Sequence, residues 1–133
     1  MKKIIAATLI AFLLIINTEH SFAQNQVGYL KRVSPEEFNK TLKGKHGVLL
    51  DVRTPGEFKK GHIEGAINID FLDDNFTARI DSLNKNKEYE VYCYSGGRSG
   101  EATELMQKKG FKKLLDLEGG YSKWQAAGLP VKK

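Results

Sequence analysis

Two rhythms of apolar residues alternate along the chain. Gly47-Val48-Leu49-Leu50-Asp51-Val52 is apolar at every position but one, the pattern of a strand buried on both faces in a parallel sheet. Ala66 to Ile69, Tyr89 to Tyr92 and Lys113 to Leu117 have strand length and β-prone residues, and Gly28 to Val33 supplies a first strand. Between these runs the apolar period lengthens to three or four. Phe76, Ile80 and Leu83 give Asn75 to Leu83 one inner helical face, and Ala102, Leu105 and Met106 do the same for Glu101 to Lys109.

Boundary residues sharpen the helices. Ser34-Pro35-Glu36-Glu37 and Thr54-Pro55-Gly56-Glu57 each place a hydroxyl at the N-cap, Pro at the first helical position and Glu at the third. These starts predict one helix running to about Leu42 before Gly44, and a short one through Lys60 that stops at Gly61. Gly110 ends the helix after residue 101, and a last helix, Tyr121 to Ala127, closes at Gly128. Strands separated by such helices predict an α/β fold: a five-stranded, mostly parallel sheet flanked by helices on both faces. Sites in these sheets collect beyond the carboxyl ends of the strands, where Cys93 and Asp51-Val52-Arg53 fall.

The first residues follow a different logic. Met1-Lys2-Lys3 is positive, Ile4 to Ile16 is nearly all apolar, and Ser21-Phe22-Ala23 offers small residues for a peptidase. Residues 1–23 therefore read as a secretory signal peptide cleaved near Ala23-Gln24, with the product exported to a periplasm or secreted. The apolar run is shorter than the roughly 20 residues a membrane span needs, so no stable membrane anchor is expected. Residues 24–133 then form one domain, expected to be monomeric.

Composition narrows the partners. The formal charge is +5, but the basic residues come as scattered pairs such as Lys59-Lys60 and Lys112-Lys113, which argues against nucleic acid and leaves a mild field for small anions. One Cys and two His beyond the leader, His46 and His62, have no metal-ligand spacing, so neither metal nor cofactor is expected. His62 and the pair Asp51 and Arg53 read first as structural, with Arg53 kept as a candidate pocket charge. Trp124 reads as core or pocket wall.

Cys93 is the only cysteine. It ends an apolar strand and opens the turn Tyr94-Ser95-Gly96-Gly97-Arg98-Ser99, so converging backbone N–H groups and the positive end of a helix favour an anion and a thiolate there. In this reading Cys93 is the nucleophile and Tyr94, Ser95, Gly96, Gly97, Arg98 and Ser99 bind the substrate. The glycines permit tight curvature, Arg98 adds charge, Ser99 caps the helix, and Tyr94 faces the pocket mouth.

Three separated motifs carry a resemblance. Asp51-Val52-Arg53 with Glu57-Phe58 and Gly61 to Asn68, the loop Cys93 to Ser99, and Gly119-Gly120 with Trp124 and Gly128-Leu129-Pro130-Val131 together resemble single-domain rhodaneses, the thiosulfate-type sulfurtransferases. The resemblance spans roughly residues 28 to 131. It implies a Cys93 persulfide, formed from thiosulfate or a related small anionic sulfur donor and discharged to cyanide or a thiol acceptor, which includes a thiol on a protein partner. A sulfur-carrier module is the alternative. Phosphatases and arsenate reductases of similar fold carry Cys-x5-Arg, one residue longer than the Cys-x4-Arg here, and are disfavoured.

Overall fold

A computed structural model describes residues 28–133. The predicted leader lies outside the described residues. The elements run β1 (Tyr29–Val33), α1 (Pro35–Gly44), β2 (Gly47–Asp51), α2 (Pro55–Lys60), β3 (Ile67–Asn68), α3 (Phe76–Asp81), β4 (Glu88–Tyr92), α4 (Gly97–Lys108), β5 (Lys113–Leu117) and α5 (Gly120–Ala126). The five strands form one sheet in the order β1-β5-β4-β2-β3, and every pairing is parallel.

Alternation along each strand divides the core in two. Leu50, Val91 and Leu114 project to one face with Phe76, Ile80, Ala102 and Met106 of α3 and α4. Leu49, Tyr92 and Leu115 project to the other with Phe38 of α1 and Tyr121 and Trp124 of α5. Both faces are covered, which is why Glu90, a polar position in the strand pattern, is nonetheless 2% exposed.

Both predicted N-caps form. Ser34 Oγ accepts from the Glu37 amide, and Thr54 and Glu57 make the full reciprocal box at the start of α2. Four expectations shift. Helix α1 runs through Gly44, and the left-handed turn falls on Lys45 (φ 53°). β3 is two residues, paired with Leu50 and Asp51, although the Ile69 and Phe71 amides carry the hydrogen bonding on to the Asp51 and Val52 carbonyls. Helix α3 ends at Asp81, before the predicted Leu83.

Helix α4 begins at Gly97, four residues before the expected Glu101. Gly96, left-handed at φ 103°, is its N-cap, so Ser99 lies inside the first turn and caps nothing. The Ser99 side chain is buried and its Oγ meets the Gly96 carbonyl at 3.4 Å. The turn after Cys93 is correspondingly short, and half of the predicted binding loop is helix.

Connections from β1 and β2 lead toward β3, whereas those from β3 and β4 lead back toward β5. The carboxyl ends of β2 and β4, which are neighbours in the sheet, therefore send their chains in opposite directions. This is the switch point at which an open α/β sheet leaves a crevice.

Candidate active site

The thiol of Cys93 sits at this switch point, 1% exposed, with its Sγ accepting the Gly96 amide at 3.0 Å. Its chain position follows from β4, whose alternation turns Val91 and Cys93 to the same face. The amides of Tyr94, Ser95, Gly97, Arg98 and Ser99 donate to no acceptor among the described residues. Three of them are first-turn donors of α4, which no intrahelical carbonyl can satisfy. The predicted cradle residues thus follow the nucleophile without a break, with the Gly96 amide on the sulfur and the Gly96 backbone reversal opening α4.

The loop is clamped from behind by a segment whose mechanical role has no local sequence signal. The Tyr121 amide donates to the Cys93 carbonyl at 2.8 Å, and the Ser122 amide donates to the Tyr94 carbonyl at 2.9 Å. Gly119 (φ 71°) and Gly120 (φ 61°) turn the chain into α5 at this contact. A Cβ on Gly120 would lie 2.5 Å from the Cys93 carbonyl oxygen, so only glycine lets the two backbones meet.

Two ion pairs flank the sulfur. Arg53, 2% exposed, donates from Nε and Nη2 to the fully buried Asp51 carboxylate, with Nη2 to Oδ2 at 2.7 Å, and Nη2 also reaches the Gly61 carbonyl. Its guanidinium lies 4.1 Å from the Tyr121 ring centroid. Burial is the largest single influence on Arg53 and opposes its charge, but the Asp51 hydrogen bonds and charge, joined by Tyr92 and Tyr121, together hold its pKa above the ordinary value. Arg53 borders the crevice with its charge paired to Asp51, the structural ion pair that the sequence reading put first. Asn68 completes this corner by donating to the Asp51 and Arg53 carbonyls.

Arg98 is likewise engaged. Its two terminal nitrogens meet Glu57 Oε2 and Oε1 at 2.8 and 2.9 Å, a bidentate pair across 41 positions of sequence. The Arg98 hydrogen bonds are the main reason the Glu57 carboxyl is held down to about 2, against burial and with help from Thr54. Arg98 therefore does not face the site as an uncompensated cation. Glu57 serves twice, closing the cap of α2 and orienting the arginine next to the nucleophile's loop.

The remaining candidates fall as follows. Tyr94 is 49% exposed and lines a cavity of about 370 Å³ with Arg53, Glu57, Lys60, Tyr121 and Lys133. His62 stacks on Phe58 and its Nδ1 lies 3.0 Å from the Phe58 carbonyl, a structural position. Trp124 is core and donates its indole N–H to the Pro130 carbonyl. No group of three His, Cys, Asp or Glu side chains able to hold a metal occurs among the described residues. Nor is any described helix long and apolar enough to cross a membrane.

Comparison with known proteins matches residues 34–127 to the Rhodanese-like domain family. The chain belongs to the rhodanese family. A relative from Arabidopsis thaliana, thiosulfate sulfurtransferase 16, chloroplastic, is 40% identical over 93 residues, covering 62% of this chain and 78% of the relative. A sulfurtransferase of Allochromatium vinosum is 30% identical over 77% of this chain and 94% of its own length. Among solved structures, a rhodanese-related protein from Thermoplasma volcanium superposes with a TM-score of 0.69 at 30% identity, covering 77% of this rhodanese chain and 97% of the other. The parallel five-stranded sheet with helices on both faces is the rhodanese fold.

Proposed function

We propose that this rhodanese is a thiosulfate-type sulfurtransferase whose nucleophile is Cys93. The observation that carries the reading is the buried sulfur at the switch point, held by the Gly96 amide and followed by a turn whose five other amides have no acceptor of their own. The Cys93 thiolate attacks the outer sulfur of thiosulfate. A new S–S bond forms, the old one breaks, and sulfite departs with the bonding pair. The product, Cys93–S–S⁻, places its charge among the loop amides, which stabilise it as fixed dipoles. An acceptor thiol then attacks the outer sulfur and returns the bonding pair to Cys93, so each half-reaction is a nucleophilic displacement and ping-pong kinetics follow. No general base is required once the thiol is ionised.

The six-residue span from Cys93 to Arg98 supports sulfur over phosphate as the cargo. Export is part of the same proposal, supported by the positive, apolar and small-residue order of residues 1–23. Incubation with thiosulfate should add the mass of one sulfur to Cys93 and release one sulfite, and Cys93→Ser should abolish both. Hydrolysis of an aryl phosphate with no sulfur uptake would overturn the proposal. Sulfur uptake with negligible turnover to any small acceptor would instead make the domain a carrier that delivers to a protein.

A further inference from the structure

Strand β4 buries a second titratable group besides the thiol. Its alternation turns Val91 and Cys93 toward α3 and α4, and turns Glu90 with Tyr92 toward the face covered by α1 and α5. Glu90 is 2% exposed, and its Oε1 has no hydrogen-bond partner. A carboxylate is costly to bury without a partner, and packing alone would be served better by an apolar residue.

Glu90 lines a cavity of about 430 Å³, within the roughly 300–1,000 Å³ of sites for organic ligands. Leu49, buried, and Leu42 and Val48, half-buried, are its apolar walls. Gly47 lines it too and leaves room beside the carboxyl, since a Cβ there would lie 3.3 Å from both Cδ and Oε2 of Glu90. The Oε2 edge of the carboxyl therefore borders the cavity. Lys45 and Glu64 line it as exposed residues, and neither is in ion-pair range of the other, nor is Lys45 in range of Glu90. Burial and Glu88 both oppose the Glu90 charge, and no cation among the described residues offsets them. Glu88 is itself engaged by the Tyr29 hydroxyl.

We propose that this cavity binds a small organic amidinium or guanidinium, its paired N–H donors on the Glu90 carboxylate and its apolar body against Leu42, Val48 and Leu49. Planar cations of this class meet a carboxylate with two parallel charge-assisted hydrogen bonds. The terminal torsion of a Glu side chain is broad, so either oxygen can turn to the ligand. A neutral apolar ligand would leave the carboxyl unsatisfied, and an anion would be repelled. A metal ion takes several protein ligands, and no group of three His, Cys, Asp or Glu side chains able to hold one occurs among the described residues. The cavity lies on the sheet face opposite the thiol, so the proposal stands apart from the sulfurtransferase reading.

Isothermal titration with benzamidine tests it, with benzamide as the neutral isostere. At pH 8 benzamidine should bind wild type with a Kd on the order of 1 mM. Benzamide should bind at least about tenfold more weakly, the scale of a lost charge-assisted hydrogen bond, and Glu90→Gln should weaken benzamidine by the same factor. The ligand stays cationic throughout, and only the ionised carboxyl holds it. Because burial and Glu88 push the Glu90 carboxyl up to about 7, affinity should fall about tenfold from pH 8 to pH 6 in wild type and stay level in Glu90→Gln. Lys45→Gln should change Kd by less than about threefold. Tightening of about tenfold or more would mean that the Lys45 ammonium already fills the site, and would overturn the proposal. So would equal binding of benzamidine and benzamide, an unchanged Kd in Glu90→Gln, or no binding of either ligand, which would leave water as the occupant.

Discussion

Replacing Gly120 by alanine isolates the contact that holds the nucleophile's loop. The new methyl would sit 2.5 Å from the Cys93 carbonyl oxygen and 2.6 Å from both the carbonyl carbon and the oxygen of Tyr94. All three are backbone atoms, which cannot rotate away. The residue also keeps φ at 61°, a left-handed conformation that costs an L-residue about 1–2 kcal/mol. Overpacking adds about 1–3 kcal/mol. Gly128 separates the two terms, since it has φ 70° but nothing within 4 Å of an added Cβ. Gly128→Ala should therefore cost only the conformational part, about 1–2 kcal/mol, and Gly120→Ala about 2–5 kcal/mol.

At roughly 4–8 °C per kcal/mol for a domain of this size, thermal melts resolve that difference. Strain at Gly120 is relieved by retreat of α5, which breaks the Tyr121 and Ser122 amide bonds to the loop. The rate of sulfite release in the first half-reaction should then fall ten- to a hundredfold, in line with a displacement of order 1 Å at a reacting group. Gly120→Ala with the melting temperature of Gly128→Ala and a normal sulfite burst would refute the reasoning.

Two further outcomes follow from the buried and paired carboxylates. Glu57→Gln frees Arg98 from its partner, so KM for thiosulfate should fall by up to about fivefold, the scale of one partly exposed ion pair; steady-state kinetics at low salt measure it, and an unchanged or higher KM counts against the pairing's role. Glu90 is pushed up to about 7 from 4.5, first by burial and then by Glu88, and its Oε1 has no partner. Such a carboxyl is protonated in both states below about 4.5 and costs nothing there. The cost grows between 4.5 and 7, where the unfolded chain ionises first, and is complete above 7 at about 3 kcal/mol. Denaturant unfolding of wild type and Glu90→Gln should show the variant gaining about 2–3 kcal/mol relative to wild type between pH 5 and pH 8, and an equal difference at both pH values would contradict the origin assigned to the shift.

The elements were legible where local chemistry decides them. Ser34 and Thr54 are read as caps because their partners lie three residues on, and β2 is read as buried because its run is apolar. Cys93 was found because a strand end, glycines and a helix pattern adjoin it. What escaped depends on distance in sequence. Nothing near Arg98 announces Glu57, and nothing near Gly120 announces the Cys93 carbonyl; each pairing exists only once β4 lies beside β2 and α5 folds back. Gly97 misled for a different reason. Glycine is a poor helix former, yet the first helical turn needs no side chain, and the reversal at Gly96 sets the helix start.

The shortness of β3 has a consequence for how this protein behaves among copies of itself. Among the described residues, β3 and β1 form the two margins of the sheet. A margin of two residues offers too few free backbone groups to template another strand, even with Ile67 half exposed. The opposite margin is longer, but Lys31 stands exposed along it, beside Arg32, which is exposed and paired with Asp116, and would repel a second β1. The sheet thus ends on one side for want of length and on the other behind charge, which protects the folded chain against edge-to-edge aggregation at high concentration.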